Sequence, residues 1–203
     1  MREREKPTGP DGRVPGHMVR FFGNFADTTL TYPAGMPAGA PTTLNAGEVV
    51  EIGPVSEPFV VDGGDKSFSV VSLMLGGTKQ DPDMGLKRGD PSLTTEITPE
   101  QFRKQYTFLA PVTYLQNFAD ILIPQGATVT LDGQPLTGTP EVIAGSRWAL
   151  VREPLGPGMN GAHRLEASEK VGLQVMGFGS ATSYCYPGGL DLKPISVPPV
   201  IVK

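Results

Sequence analysis

Apolar and polar positions alternate along several short segments of this chain. Thr28–Tyr32, Arg147–Arg152 and Val171–Phe178 show the alternation most clearly. Residues two positions apart in a strand face the same side of a sheet, so a period of two predicts half-buried β-strands. Turn signals recur roughly every 8–12 residues, which is typical of sandwiches and barrels. The sequence therefore predicts an all-β, β-sandwich-like domain with many short antiparallel strands and at most one short helix.

Two hairpins are predicted from turn residues between apolar runs. Phe59–Val61 and Phe68–Leu75 are separated by Asp62–Lys66, a glycine-containing connection. Ala127–Leu131 is followed by Asp132–Gly133, and Asp-Gly between extended segments is a strong hairpin signal.

The best helix candidate is the segment Thr98–Tyr106. Thr98 suits an N-cap, Pro99 suits the first helical position, and Gln101 completes a capping box. Apolar residues and Pro111 follow this segment, so we expect one or two helical turns at most.

Composition and charge narrow the class of protein. The 26 glycines and 21 prolines are spread along the 203 residues rather than clustered. We expect a disordered or linker tail over residues 1–16, a single β domain over 17–195, and an extended C-terminal strand over 196–203. The net charge is −4 with no basic stripe, so nucleic acid is not an expected partner. No apolar run is long enough for a membrane-spanning helix, so the chain is not expected to span a membrane.

Residues for catalysis are scarce. The chain has two histidines and one cysteine, far apart in sequence, and no Gly-x-Ser-x-Gly. We interpret His163 as a structural residue that ties a turn to the sheet and Cys185 as a small buried side chain. The sequence therefore does not predict an enzyme.

The segment 76–92 is a long polar loop that offers candidate metal ligands. Asp81, Asp83 and Asp90 supply the oxygen ligands that calcium takes from loops, although no EF-hand pattern is present. Aspartate also initiates turns without any metal. Calcium is therefore a possible ligand, and no other cofactor is expected.

Six blocks of sequence, in order, resemble the N-terminal domain of IgG Fc-binding proteins. The similarity runs from about residue 18 to residue 190, and the blocks are Gly89–Ser92, Glu100–Pro111, Leu131–Pro135, Gly161–Leu165, Gly172–Gly179 and Ser183–Gly189. On this resemblance the chain is identified as a bacterial surface-protein member of the family, corresponding to the C-terminal part of the domain. The resemblance implies a secreted or cell-surface, β-rich, non-catalytic domain that binds other molecules.

We therefore expect an extracellular or cell-surface binding or adhesion module with a protein or glycan ligand. Its candidate ligand-binding residues are Asp90 in the long loop, and Tyr184 and Tyr186 in the turn-rich segment that follows the predicted strand Val171–Phe178. Most aromatic residues of a β domain are nevertheless core residues. The alternative is a structural subunit of a surface filament or layer, in which copies of the chain exchange β-strands through the N-terminal tail or through Ile195–Lys203.

Overall fold

The computed structural model of the chain describes residues 16–80 and 89–192. Asp81, Asp83, the C-terminal strand predicted over 196–203 and all of the predicted tail except Gly16 lie outside the described residues. Within the described ranges strands are the main secondary structure and helix is confined to two short turns, which confirms the all-β prediction. The strands are β1 (His17–Gly23), β2 (Thr28–Thr29), β3 (Thr43–Leu44), β4 (Val49–Val55), β5 (Phe68–Met74), β6 (Leu93–Thr95), β7 (Arg103–Leu109), β8 (Gln116–Pro124), β9 (Val129–Leu131), β10 (Gln134–Pro135), β11 (Glu141–Val142), β12 (Trp148–Pro154), β13 (Ala162–Gly179) and β14 (Thr182–Pro187).

The described strands form three antiparallel sheets. A four-stranded sheet has the order β4-β1-β5-β6, and a two-stranded sheet pairs β2 with β3. The eight-stranded sheet has the order β10-β9-β13-β8-β12-β11, and β7 and β14 also pair with β13. β13 therefore has more strand partners than any other strand of this sheet.

β13 belongs to two half-sheets at once. Its first half, Ala162–Glu166, pairs with β7, and its second half pairs with β14 and β8. The register shifts between Glu166 and Val171, and a register irregularity of this kind bends a strand. The bend lets the two half-sheets share one apolar core, in which Leu165 lies with Ile121 and Val175.

A second apolar cluster, which includes Val19, Phe21 and Leu44, covers one face of the four-stranded sheet. Near β6 the side chains of the four-stranded sheet are polar. There they contact the face of the eight-stranded sheet that points away from its apolar core, which we call the outer face. Glu96, next to β6, accepts hydrogen bonds from Ser72 and from Gln174 of β13. We call this contact region the polar junction; its residues are His17, Ser72, Thr94, Glu96, Asp120, Arg152, Gln174 and Cys185.

The predicted hairpin between Phe59–Val61 and Phe68–Leu75 is wrong. β5 pairs with β1 and β6, whereas Asp62 makes an isolated bridge to Thr31. Phe59 and Val61 pack as side chains on the second apolar cluster, so their burial does not require a strand.

The helix predicted over Thr98–Tyr106 is reduced to one 3₁₀ turn, Pro99–Gln101, capped by the Thr98 side chain. The chain is extended from Arg103 onward because β7 pairs with β13. In this extended strand Tyr106 and Phe108, two positions apart, both point into the core. A separate helical turn, Gly77–Gln80, lies in the segment predicted as loop.

The hairpin at Asp132–Gly133 is confirmed as the turn between β9 and β10. Both residues have positive φ, 52° and 77°, as a two-residue hairpin turn requires. The Asp132 carboxylate also accepts from the Arg164 main-chain N–H and lies 2.8 Å from His163 Nδ1. The interpretation of His163 as a residue that ties a turn to the sheet is thereby confirmed.

Candidate functional site

A groove of about 490 Å³ lies between β7 and β14. Both are edge strands, each paired only with β13 in the described sheets. The groove is lined by Thr107, Phe108, Leu109, Pro111, Tyr184, Tyr186 and Gly188. Its walls are therefore mainly aromatic and aliphatic.

Tyr184 and Tyr186 share the groove because they are two positions apart on β14. Their rings stack with centroids 6.0 Å apart, and Tyr114 packs edge-on against Tyr184 at 4.8 Å. Gly177 lies opposite Tyr184 on β13, where a Cβ atom would come within 2.4 Å of the Tyr184 ring. The glycine therefore makes room for the tyrosine.

The hydroxyl groups of both tyrosines are bound within the domain. Tyr184 donates to Asn117 Oδ1 at 2.7 Å. Tyr186 donates to the Leu109 carbonyl and accepts from the Leu109 N–H at 3.1 Å. Burial raises the pKa of both phenols, so they stay protonated at neutral pH. Their hydroxyls hold β14 in place, and their ring faces form the groove.

The free edge of β7 borders the same groove. In an antiparallel pair the main-chain groups of successive residues point alternately toward and away from the partner strand. Ala110 N–H donates to Gly161, toward β13, whereas Leu109 binds Tyr186 on the other side. Arg164 lies opposite Thr107 on β13. Its main-chain N–H donates to the Asp132 carboxylate, and its carbonyl accepts from the Asp132 N–H, so both groups point away from β7. The main-chain groups of Thr107 and Gln105 therefore point away from β13, and they have no partner among the described residues.

Exposed aliphatic side chains follow the groove along the connection from β7 to β8. Leu109 is 63% exposed, Val112 52% and Leu115 59%. We call these three residues the apolar rim. Leu109 lines the groove, and Val112 and Leu115 follow it within six residues of the chain, so the three are candidates for an interaction surface.

The structure brings together only part of the predicted site. Tyr184 and Tyr186 lie in the groove, but Asp90 does not join them. The Asp90 carbonyl accepts from Ser183, whose side chain faces the opposite side of β14 from Tyr184. No cluster of metal-ligating side chains is found in residues 16–80 and 89–192, and Asp81 and Asp83 lie outside these ranges. Calcium binding stays a prediction.

The sequence interpretation missed β7, because Thr98–Tyr106 carried the signals of a helix start. The alternation of exposed Gln105, Thr107 and Leu109 with buried Tyr106 and Phe108 is the signal that reveals the strand. Cys185 lies on the face of β14 away from the groove, and burial raises the pKa of its thiol to about 12. That thiol is therefore unreactive at neutral pH.

An all-β domain with an open strand edge, an aromatic groove and an apolar rim has the surface chemistry of a binding domain. The chain belongs to the family described as IgGFc binding protein, whose model matches residues 4–177. This confirms the predicted resemblance, and it indicates an extracellular binding module of a family not known for enzymes.

Neither the curated proteins nor the solved structures contain a match to this chain. Among the described residues, none of the helices has the length and apolar character needed to cross a membrane.

Proposed function

We propose that the domain binds a protein ligand through the groove, the free edge of β7 and the apolar rim. The observation that supports this most directly is that the main chain of Gln105 and Thr107, at the edge of an apolar groove, has no partner in the part of the chain that the structure describes. On a cell surface, binding of this kind would serve adhesion.

The groove favours a polypeptide over a glycan. A glycan site needs side-chain donors and acceptors free to bind sugar hydroxyls, but the hydroxyls of Tyr184 and Tyr186 are already bound to Asn117 and Leu109. Besides the Thr107 hydroxyl, the polar groups that the described residues leave open beside the groove are those of the β7 main chain. Alternate residues of a strand are about 6.6–6.8 Å apart, which is the spacing of hydrogen-bonding groups in another extended chain.

The rim supplies the apolar contact that an interface core needs. Leu109 sits where the groove meets the rim, and it is the most exposed of the three rim residues. Burying a leucine of this kind contributes about 1.5–3 kcal/mol. Leu109 is therefore the expected centre of the interface.

The test is a binding screen of the full chain against purified secreted proteins, with the IgG Fc fragment as one probe. For any protein that binds, Leu109→Asp should weaken binding by about tenfold or more, because it places a charge in the interface. The matched control is Val142→Asp on β11, since Val142 is also exposed, at 59%, but lies on the far edge strand. Equal affinity of the Leu109→Asp variant and the unmodified chain would overturn the proposal.

A second candidate function is a structural subunit that assembles by strand exchange. The free edge of β7 favours it too, because that edge also matches an extended segment of a neighbouring copy. Light scattering over a concentration series tests this function. A rising molar mass would favour assembly, and a constant monomer mass would exclude it.

A further inference from the structure

We propose that the groove takes an extended, acidic segment of a protein ligand, which pairs with β7 as an antiparallel strand and places a side-chain carboxylate on Arg103. This inference rests on the proposed function, because it concerns the same groove. It adds the class of segment that is recognised: alternating apolar side chains followed by an aspartate or a glutamate.

Arg103 supplies a positive charge at one end of β7. Its side chain is exposed, and its guanidinium carbon lies 5.9 Å from the centroid of the Tyr106 ring. It also lies beside the turn after β14, since a Cβ atom at Gly189 would be 3.7 Å from Arg103 Nη1, and the neighbouring Gly188 lines the groove. Within residues 16–80 and 89–192 no carboxylate pairs with Arg103, so its charge is open to a ligand.

The acidic groups around this end of β7 are already paired with other cations. Asp191, which acts on the neighbouring Tyr106, binds Lys170 at 3.1 Å. Glu166 on β13 binds Arg164 at 2.8 Å. The beginning of β7 therefore carries an uncompensated positive charge, and a ligand that carries a carboxylate complements it.

The free main chain of β7 decides which ligand positions form hydrogen bonds. In an antiparallel pair, the ligand residues opposite Gln105 and Thr107 exchange both main-chain bonds with them. These two ligand residues need an N–H, so proline is excluded there. The N–H and C=O of Leu109 are bound by the Tyr186 hydroxyl, so the pairing ends before Leu109.

The alternation of side chains along the ligand follows from the same pairing. Ligand side chains opposite Gln105 and Thr107 lie on the exposed face of β7. The intervening ones lie on the face of Tyr106 and Phe108, toward the apolar groove, so these ligand residues should be apolar. The ligand residue opposite Arg103 comes three positions after the one opposite Tyr106, and there the carboxylate is expected.

A selection of synthetic random peptides on the full 203-residue chain tests this pattern. The peptides have amidated C-termini, so each carboxylate belongs to an aspartate or glutamate side chain. We expect the bound peptides to be enriched in two apolar residues two positions apart, with an acidic residue three positions after the second. Proline should be depleted at the two positions that bond to β7.

An arginine variant separates the charge from the rest of the surface. Arg103→Gln should weaken a selected peptide by about twofold to fivefold, the usual worth of an exposed ion pair. It should also abolish the preference for that peptide over the same peptide with glutamine in place of its acidic residue. The matched control is Arg20→Gln, which removes an exposed arginine from the four-stranded sheet and should leave the preference intact.

Methylation of the peptide main chain tests the strand pairing. N-methylation at a position that bonds to β7 should weaken binding by about tenfold, because it removes a donor and adds a clash. N-methylation at the apolar positions should be tolerated, since their N–H groups point away from β7. Equal losses at both kinds of position would overturn the pairing.

The proposal also fails if no peptide is selected, if the selected peptides lack the acidic residue, or if Arg103→Gln keeps the preference for it. A preference that appears only with free C-termini would overturn the side-chain carboxylate and assign the charge to the end of a chain. These failures are distinct from failure of the proposed function, which is decided by the effect of Leu109→Asp on the binding of whole proteins.

Discussion

The two faces of the eight-stranded sheet are built from the same strands with different chemistry. On the inner face, Ala119, Ile121 and Val151 are almost fully buried among apolar side chains. On the outer face the neighbouring residues Asp120 and Arg152 pair through two hydrogen bonds of 2.7 and 2.6 Å. The comparison shows that one face supplies stability through close packing, whereas the other joins two sheets through directional polar contacts that tolerate some solvent.

The inner face should be the most sensitive to loss of volume. Ile121 is completely buried in the shared core. Ile121→Ala should lower the free energy of unfolding by about 3–4 kcal/mol, because it removes buried methyl groups and leaves a cavity. Urea unfolding followed by circular dichroism measures the change. Val142→Ala on an exposed edge should change stability by less than about 0.5 kcal/mol, and comparable losses in the two variants would contradict this picture.

Added volume on the inner face should cost somewhat less. In Gly177→Ala the new Cβ would lie 2.4 Å from Tyr184 Cε1 and 2.5 Å from Asn117 Oδ1. The tyrosine and its hydrogen bond must then shift, at an expected cost of about 2 kcal/mol. Thermal unfolding gives the cost, and Gly156→Ala is the control, since a Cβ at Gly156 meets no atom within 4 Å. Equal stability of the two variants would show that Tyr184 is loosely held.

Breaking the polar junction should cost about 1–2 kcal/mol. Arg152→Ala leaves the Asp120 carboxylate, whose side chain is only 11% exposed, without its cation. Because the Arg152 side chain itself is 42% exposed, water compensates part of the loss. The double variant Asp120→Leu with Arg152→Met should be closer to the unmodified chain than Arg152→Ala. A double variant less stable than the single one would mean that the charges themselves hold the sheets together.

The smallest expected effect is a pH dependence at the polar junction. Burial lowers the pKa of His17, with Arg152 acting in the same direction and Glu96 and Asp120 opposing. The unfolded chain therefore takes up the proton first, and stability falls as the pH drops from about 6.5 toward the lower folded pKa. The slope is at most about 1.4 kcal/mol per pH unit.

Urea unfolding at pH 7.5 and 5.5 measures this loss, and His17→Gln should reduce it. The comparison between the variant and the unmodified chain removes the contribution of the carboxylates that both share. An identical loss in the two proteins would show that His17 is not the responsible group.

Local features of the fold could be predicted from the sequence, and distant pairings could not. The turn at Asp132–Gly133 follows from two adjacent residues, and its prediction was confirmed. The Thr98 cap was also present, but it starts only one turn, because pairing with β13 imposes an extended backbone from Arg103 onward. The intrinsic helix or strand preference of a segment predicts its structure poorly where a distant strand offers a complete set of hydrogen bonds.

For the candidate site, too, residues close together in sequence could be predicted, whereas their distant partners could not. Tyr184 and Tyr186 were predicted as binding residues of a turn-rich segment, and the structure puts both in the groove, on strand β14. Their anchor at Leu109 is 77 positions away from Tyr186, so no local pattern points to it. Asp90 was grouped with the tyrosines by sequence alone, and the structure separates them across β14.

The bend in β13 has a consequence for how the domain folds. Because one strand supplies hydrogen bonds to β7 and β9 in its first half and to β8 and β14 in its second, neither half-sheet is complete before that strand has joined both. The partners come from well separated parts of the chain, so closing these loops should make folding slow. Once formed, the two half-sheets should be lost together, in a single cooperative transition.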